Sequence, residues 1–491
     1  MRELRYAHAV TDTAPGHSAL YTGVVPRASG IGLNEVFTGK DGGKVSILAD
    51  PATHLVGPKG PMDGTTGSSL AILEVETVAD RLRREHPEAL ILSLSLKDRG
   101  ALFGGGRKPT ATVWLDLQLG EWVTSTAFAT SLPSWVKEPS IESERAYVWN
   151  PLNEGWVRGH AATPDAAPGE GDAAGLGTTF PHALAHTDPL PRAFRTTPRA
   201  DELLLSMALA ALDHECAPGR VTLLAVSLSA NDYIGHTFGP DSWEAWDELE
   251  RLDASLAVFL SGLDARFGER GYAVVLAADH GTTTMPEAAS LAGTRPWCMS
   301  ASRDRWARAC GSVTRIMPPQ LLAELRAATS EGLVRGVDDP YVFLSDEAHA
   351  LPPAERAVVM AKVASVLARH PEIASVVDTQ KLPAVCPPDA DESIPALVCR
   401  SVCKSSGDLY VLTRPGSFFD PDVVAGKGTS HGTPYLYDRA VPLLVRAPGR
   451  AKAGLVVDEP VGFGAFARTA ASLLGVEPPG PARAARDLSR P

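Results

Sequence analysis

SLAILEVETVADRLRREHPEALILSLSLKDRGALFGGG, residues 69–106, holds three kinds of structural signal in one run. Residues 69–88 read as an amphipathic helix, 89–96 as a buried strand, and the glycine-rich KDRGALFGGG as the loop after it. The rhythm recurs. DELLLSMALAALDHE (201–215) is a second helix, VTLLAVSLS (221–229) a second strand, and ANDYIGHTFG the loop beyond it. DSWEAWDELERLDASLAVFLSGLDARFG (241–268) reads as a long helix and YAVVLAAD (272–279) as a strand running into HGTTT. DLYVLTR and AVPLLVRA follow as strands, and FGAFARTAASLLG as a closing helix. Alternation of this kind predicts an α/β protein with a mostly parallel central sheet and helices on both faces. Ligands bind such sheets beyond the carboxyl ends of the strands.

Two stretches break the rhythm. Residues 136–200 are rich in Pro, Gly, Ala and Asp; residues 285–400 carry their own helix (352–370) and a Cys/Pro segment. Both read as insertions that cap the sheet of a single domain spanning 1–491. The composition, 44% hydrophobic and 21% charged over 491 residues, is that of an ordinary globular protein. A net charge of −12 without any Lys/Arg block argues against nucleic-acid binding through a basic face. No apolar run is long enough to span a bilayer, and MRELRYAHAV has no apolar core of a signal peptide. Of six cysteines, Cys386, Cys399 and Cys403 share one segment and are able to close a small disulfide loop; buried free thiols are the plain alternative.

The strand ends collect chemistry. Asp232 and His236 follow the strand at 221–229, Asp279 and His280 follow YAVVLAA, and His431 lies in the glycine-rich GKGTSHGTPYLYD (426–438). Singly these are weak signals, and Asp279-His280-Gly281 has a plain reading as a cap and turn. Together, two carboxylates and three imidazoles make an oxygen/nitrogen set that suits zinc. Five ligands exceed the need of one catalytic zinc; two ions about 4 Å apart would use them as a clamp for phosphoryl displacement.

TDTAPGHSALYTGVVPRASGIGLN (11–34), NDYIGHTFGPDS (231–242), AADHG (277–281) and GTSHGTPYLYD (428–438) resemble, in that order, the core motifs of the alkaline phosphatase superfamily. The resemblance is in particular to its PafA-like phosphatases, phosphate monoesterases with a threonine nucleophile. SLKDRGALF (95–103) and VWLDLQLGEWVTSTAFATSLPSWV (113–136) extend it over nearly the whole chain. It implies a three-layer α/β sandwich, two Zn²⁺ per chain and small phosphate monoesters as substrates. By the same resemblance Thr13 is the nucleophile that becomes phosphorylated. Asp232, His236 and His431 hold one zinc; Asp279, His280 and the Thr13 oxygen hold the other. Asn34 binds a phosphoryl oxygen, and Lys97 and Arg99 contact phosphate, favouring the more highly charged monoester. His17 reads as structural, packing the turn. Pro15 fits a first helical turn, whose free N–H groups would favour a phosphate; a mere N-cap role for Thr13, with Thr11 equally eligible, is the plain alternative.

Family members also have a first strand ending in an aspartate that helps hold the zinc of Asp279 and His280. Counted back from Thr13, it would precede Met1, and Asp12 is a poor substitute. The expectation is a product that begins further upstream, with an export signal there, and a periplasmic or secreted location. Loss of a central strand should expose sheet edges. The rival readings are a phosphodiesterase or nucleotide pyrophosphatase on the same core, and a metal-poor pseudoenzyme that binds phosphorylated ligands.

Overall fold

A computed structural model describes residues 1–38, 43–291, 314–330, 332–421 and 423–489. The helix–strand alternation is present: helices Pro198–Glu215, Trp243–Phe267 and Gly464–Leu474 and strands Leu90–Ser95, Thr222–Ser227 and Val274–Ala277 stand where the periodicity put them. Leu90, Leu92 and Leu94 are fully buried and share an apolar cluster with Leu204, Ala208 and Leu212 of the helix that precedes the Thr222–Ser227 strand.

The six-stranded central sheet is mixed, not mostly parallel. Its order is Thr222–Ser227, Leu90–Ser95, Ala111–Asp116, Glu121–Ser125, Leu55–Gly57, Gly60–Pro61. The first three strands are parallel neighbours, and every later pairing is antiparallel. The cause is the four-residue turn after Asp116, with Gly120 at φ +64°, which permits only a hairpin. Strand Val274–Ala277 pairs antiparallel with Leu443–Arg446 in a separate ladder.

Among the described residues, Thr222–Ser227 and Val274–Ala277 each pair on one side only. Leu276 and Leu444, in the second ladder, are exposed. Helix Gly464–Leu474 packs on Val274–Ala277 and, through Ala467 and Ala471, reaches the apolar cluster of Leu223, so one helix covers both sheet pieces.

Three local expectations are corrected. The helix expected over 69–88 is confined to Val78–Glu85, because Thr77 and Asp80 form a reciprocal capping box there. Leu70 and Leu73 instead bury in another apolar cluster. KDRGALFGGG is not a loop: Asp98–Gly105 is a helix. Its glycines serve close approach, since a Cβ on Gly104 would lie 2.5 Å from Ala225 Cβ in the sheet beneath. ANDYIGHTFG is also a helix, Ala230–Phe238, which places Asp232 and His236 one turn apart on one face.

Within 285–400, residues 292–313 (with Cys298 and Cys310) and 331 lie outside the described residues. Of the rest, Val334–Asp338, Tyr341–Leu344 and Ile373–Asp378 join Leu409–Thr413 in an antiparallel sheet. That sheet has an apolar cluster of its own under helices Pro318–Thr329 and Pro353–Leu367. Cys386 and Cys399 form a disulfide, and Cys403 is a free thiol. No helix among the described residues is long and apolar enough to cross a membrane.

Gly104→Ala weighs two effects against each other. A helical Gly→Ala change gains up to about 1 kcal/mol, whereas overpacking a tight contact costs about 1–3 kcal/mol. A net loss is expected, read as a lower urea midpoint at unchanged m-value.

Candidate active site

Helix Thr13–Thr22 starts at Asp12, whose carboxylate accepts from Thr13 N–H. Asn34 completes this start: its Oδ1 accepts from Ala14 N–H at 2.8 Å and its Nδ2 donates to Asp12 Oδ1 at 2.6 Å. The first N–H groups of the helix are therefore already engaged, contrary to the expectation that they await a phosphate. The Thr13 hydroxyl, in a buried residue, has no hydrogen-bond partner among the described residues.

The helix lies directly on Asp279. A Cβ on Gly16 would collide with the Asp279 carbonyl oxygen, so only glycine permits the approach. One residue on, His17 meets three groups. Its Nδ1 is 3.0 Å from Thr13 O and 3.2 Å from Asp279 Oδ2, and its Nε2 is 3.0 Å from Ser227 Oγ. His17 thus packs the turn, as read, and also touches a candidate ligand. The sequence offered one clue to this: His17 follows Thr13 by four residues, on the same helical face.

Asp232, His236 and His431 bring one ligand atom each within 4.8 Å of one another. Asp232 Oδ1 is 3.3 Å from His236 Nε2 and 3.7 Å from His431 Nε2, and the two Nε2 atoms are 3.2 Å apart. Each ring is oriented from behind. His236 Nδ1 donates to Thr429 O and His431 Nδ1 to Thr11 O, both at 2.8 Å. A carbonyl only accepts, so these Nδ1 atoms carry hydrogens. Burial, then His280 and His236, hold the His431 ring well below the ordinary imidazole range and keep it neutral. Its Nε2 is therefore a lone pair aimed at another ring nitrogen and a carboxylate oxygen. Such an arrangement fits a divalent cation, with the backbone carbonyls as the outer partners that fix ligating histidines.

The second set lies against the first. The His280 and His431 rings stack at 3.5 Å, His280 Nε2 is 3.4 Å from Asp279 Oδ2, and that buried nitrogen has no hydrogen-bond partner. Burial works against the Asp279 carboxylate, but His280 and His17 outweigh it and hold the group well below the usual range. Burial likewise opposes Asp232, yet Lys97 at 2.6 Å keeps the carboxylate ionised.

Lys97 Nζ donates to Asp232 Oδ2 at 2.6 Å, and the Arg99 Nε is buried without a partner. Both residues flank the start of the glycine-rich helix, at the carboxyl end of Leu90–Ser95. Tyr233, which the sequence reading passed over, stands beside them: Lys97 Nζ is 4.4 Å from its ring centre. Asp12 is occupied by Thr13 and Asn34, with His431 Nδ1 no nearer than 3.8 Å.

The family of type I phosphodiesterases and nucleotide pyrophosphatases matches residues 5–432. The chain belongs to this family, a branch of the alkaline phosphatase superfamily. It is PafA-like. Alkaline phosphatase PafA of Elizabethkingia meningoseptica is 29% identical over 489 residues, 96% of this chain and 84% of that protein. A Myroides odoratus protein named calcium-transporting ATPase is 29% identical over 452 residues, 88% of this chain and 77% of that protein. The crystal structure of wild-type PafA superposes with a TM-score of 0.80 at 25% identity, covering 100% of this chain and 91% of that one.

For this PafA-like chain the triad makes a direct prediction. His431→Ala removes one of three converging donors, so affinity for a divalent ion should fall by more than the roughly 10–100-fold that loss of an outer partner costs. Competition with a chromogenic chelator checks it.

Proposed function

We propose that this chain, a hydrolase of the alkaline phosphatase superfamily, is a zinc-dependent phosphate monoesterase acting through a phosphothreonine. The observation that carries the reading is the convergence of the Asp232, His236 and His431 donors, with Lys97 Nζ 2.6 Å from Asp232 and the Thr13 helix touching Asp279 through His17. Relatives named alkaline phosphatases support it.

Asp232, His236 and His431 would hold one zinc; Asp279 and His280, with the Thr13 oxygen, would hold the other. Zinc there supplies Lewis-acid polarisation of phosphoryl oxygens and lowers the pKa of a bound hydroxyl. The residues of the chain do the rest. Thr13 Oγ attacks phosphorus in line, the ester P–O bond breaks, and the alcohol departs on the Asp232 side; water later cleaves the phosphothreonine and frees Thr13. Arg99 is suited to grip two phosphoryl oxygens at once. The second Nδ2 hydrogen of Asn34 is available for another oxygen, its first being held by Asp12. Lys97 spans the Asp232 carboxylate and the phosphoryl site. Asp279 is kept ionised by His17 and His280, as a ligand must be.

A diesterase reading draws support from the description of the matched family, type I phosphodiesterase / nucleotide pyrophosphatase. Substrate charge separates the two. A monoester dianion exposes more charge than a diester and gains more from Lys97 and Arg99. The Lys97→Ala/Arg99→Ala double variant should lose about 10²–10³ in kcat/KM on nitrophenyl phosphate, and far less on bis(nitrophenyl) phosphate. Equal losses would favour the diesterase.

Metal content separates the enzyme from a phosphate-binding pseudoenzyme. Elemental analysis of the purified chain should give about two zinc per chain, and chelation should abolish turnover reversibly. The segments 136–200 and 285–400 are assigned as caps that set substrate choice. Export to the periplasm or beyond belongs to the same reading, supported by the Cys386–Cys399 disulfide.

A further inference from the structure

Arg195 sits at the carboxyl end of the short helix Leu190–Phe194, within the 136–200 insertion. Its guanidinium lies over the Tyr233 ring, with Cζ 3.9 Å from the ring centre. Lys97 Nζ is 4.4 Å from the centre of the same ring. One aromatic side chain, next in sequence to Asp232, therefore gathers two cations, with Arg99 close by.

The arginines around it are all anchored. Arg192 donates to Val423 O at 2.8 Å, and Arg199 pairs with Glu144 at 2.7 Å. The nearby Asp201 carboxylate is taken by the Ser229 and Ala230 N–H groups at 3.0 and 3.1 Å. Arg195 alone has no ion pair or side-chain hydrogen bond among the described residues, and its Nε is buried without a partner. Lys97 and Arg99 each face a carboxylate of their own, Asp232 at 2.6 Å and Asp98 at 3.5 Å, whereas a guanidinium that only packed an insertion would have no reason to stand beside them without one. Repulsion among like charges disfavours the position, and the Tyr233 face offsets it only in part. The missing element is an anion.

We propose that Arg195 is a specificity-determining residue that receives a second oxyanion, carboxylate or phosphate, carried on the leaving group of the ester. This rests on the hydrolase reading above, in which the alcohol departs on the Asp232 side, where Tyr233 and Arg195 stand. The preferred substrate class is thus a phosphate ester of an alcohol that is itself acidic.

Two non-hydrolysable ligands test this on the metal-loaded chain: phenylphosphonate and 3-carboxyphenylphosphonate, compared by calorimetry. The wild type should bind the carboxylated ligand about 10–100-fold more tightly, the range of a hydrogen bond to a charged group. Arg195→Ala should lose that advantage, and Arg195→Lys should keep part of it. Unfolding midpoints confirm that both variants fold. Equal binding of the two ligands by the wild type, or an advantage retained by Arg195→Ala, overturns the assignment of Arg195 alone. Failure to bind either ligand overturns the hydrolase reading, and this one with it.

Discussion

Three lone pairs directed at one point are the constraint on which the rest of the site depends. Asp232 Oδ1 and the Nε2 atoms of His236 and His431 face one another across 3.2–3.7 Å. Left bare, such groups repel, and a buried polar atom without a partner costs about 1–3 kcal/mol. The arrangement persists because each ring is locked from outside. Thr429 and His236 are doubly tied: Thr429 N–H donates to His236 O at 3.0 Å while His236 Nδ1 donates to Thr429 O. Gly428 makes this possible, since at φ +67° its missing Cβ leaves room for the His236 carbonyl. His431 is anchored to Thr11, two residues before Thr13. Moving any one of these segments turns a ligand away from the centre.

Asp232 has to serve two neighbours, and its oxygens divide the work. Oδ1 turns to the imidazoles and Oδ2 to Lys97. A carboxylate in this position stays ionised despite burial, so it remains both a ligand and the counter-ion that makes a buried lysine tolerable. The consequence falls on substrate binding. Part of the Lys97 charge is committed to Asp232, and Arg99, whose buried Nε has no partner among the described residues, would under the proposed reading have more to offer a phosphoryl group. Two like charges about 8 Å apart at an effective permittivity of about 20 repel by about 2 kcal/mol.

The chemistry was more legible in the sequence than the scaffold. Asp232 and His236 follow the strand Thr222–Ser227 and Asp279 and His280 the strand Val274–Ala277, whereas His431 lies in a long glycine-rich loop; strand ends converge in an α/β sheet whatever the details of its order. What the sequence concealed was geometry that depends on distant partners. Gly100, Gly104 and Gly105 look like loop residues, and become helical because a sheet of Ser93, Ser95 and Ala225 lies too close for side chains. The Asp232/His236 pair was read in a loop although its spacing is one helical turn. The contact of His17 with Asp279, and Arg195 altogether, went unread for one reason: their significance lies in what they touch, Asp279 and Tyr233, more than two hundred and about forty residues away.

The two halves of the site are not equally furnished. The first offers a carboxylate and two imidazoles, each fixed from behind. The second, among the described residues, offers Asp279 and His280, with His280 Nε2 3.4 Å from Asp279 Oδ2. Asp12 does not fill the gap, because its Oδ1 is engaged in starting the Thr13 helix and orienting Asn34. Affinity follows the number and rigidity of donors, so the first half should hold an ion more firmly than the second. The strands that end near Asp232 and near Asp279 each pair on one side only, under a single covering helix. The weaker half of the centre follows the strand Val274–Ala277, which among the described residues belongs to a two-stranded ladder. Its geometry rests on Gly16, His17 and the Asp438 carbonyl, which accepts from Gly281 N–H at 2.7 Å. Thr13 is thus held in place less by the sheet than by the helix it begins.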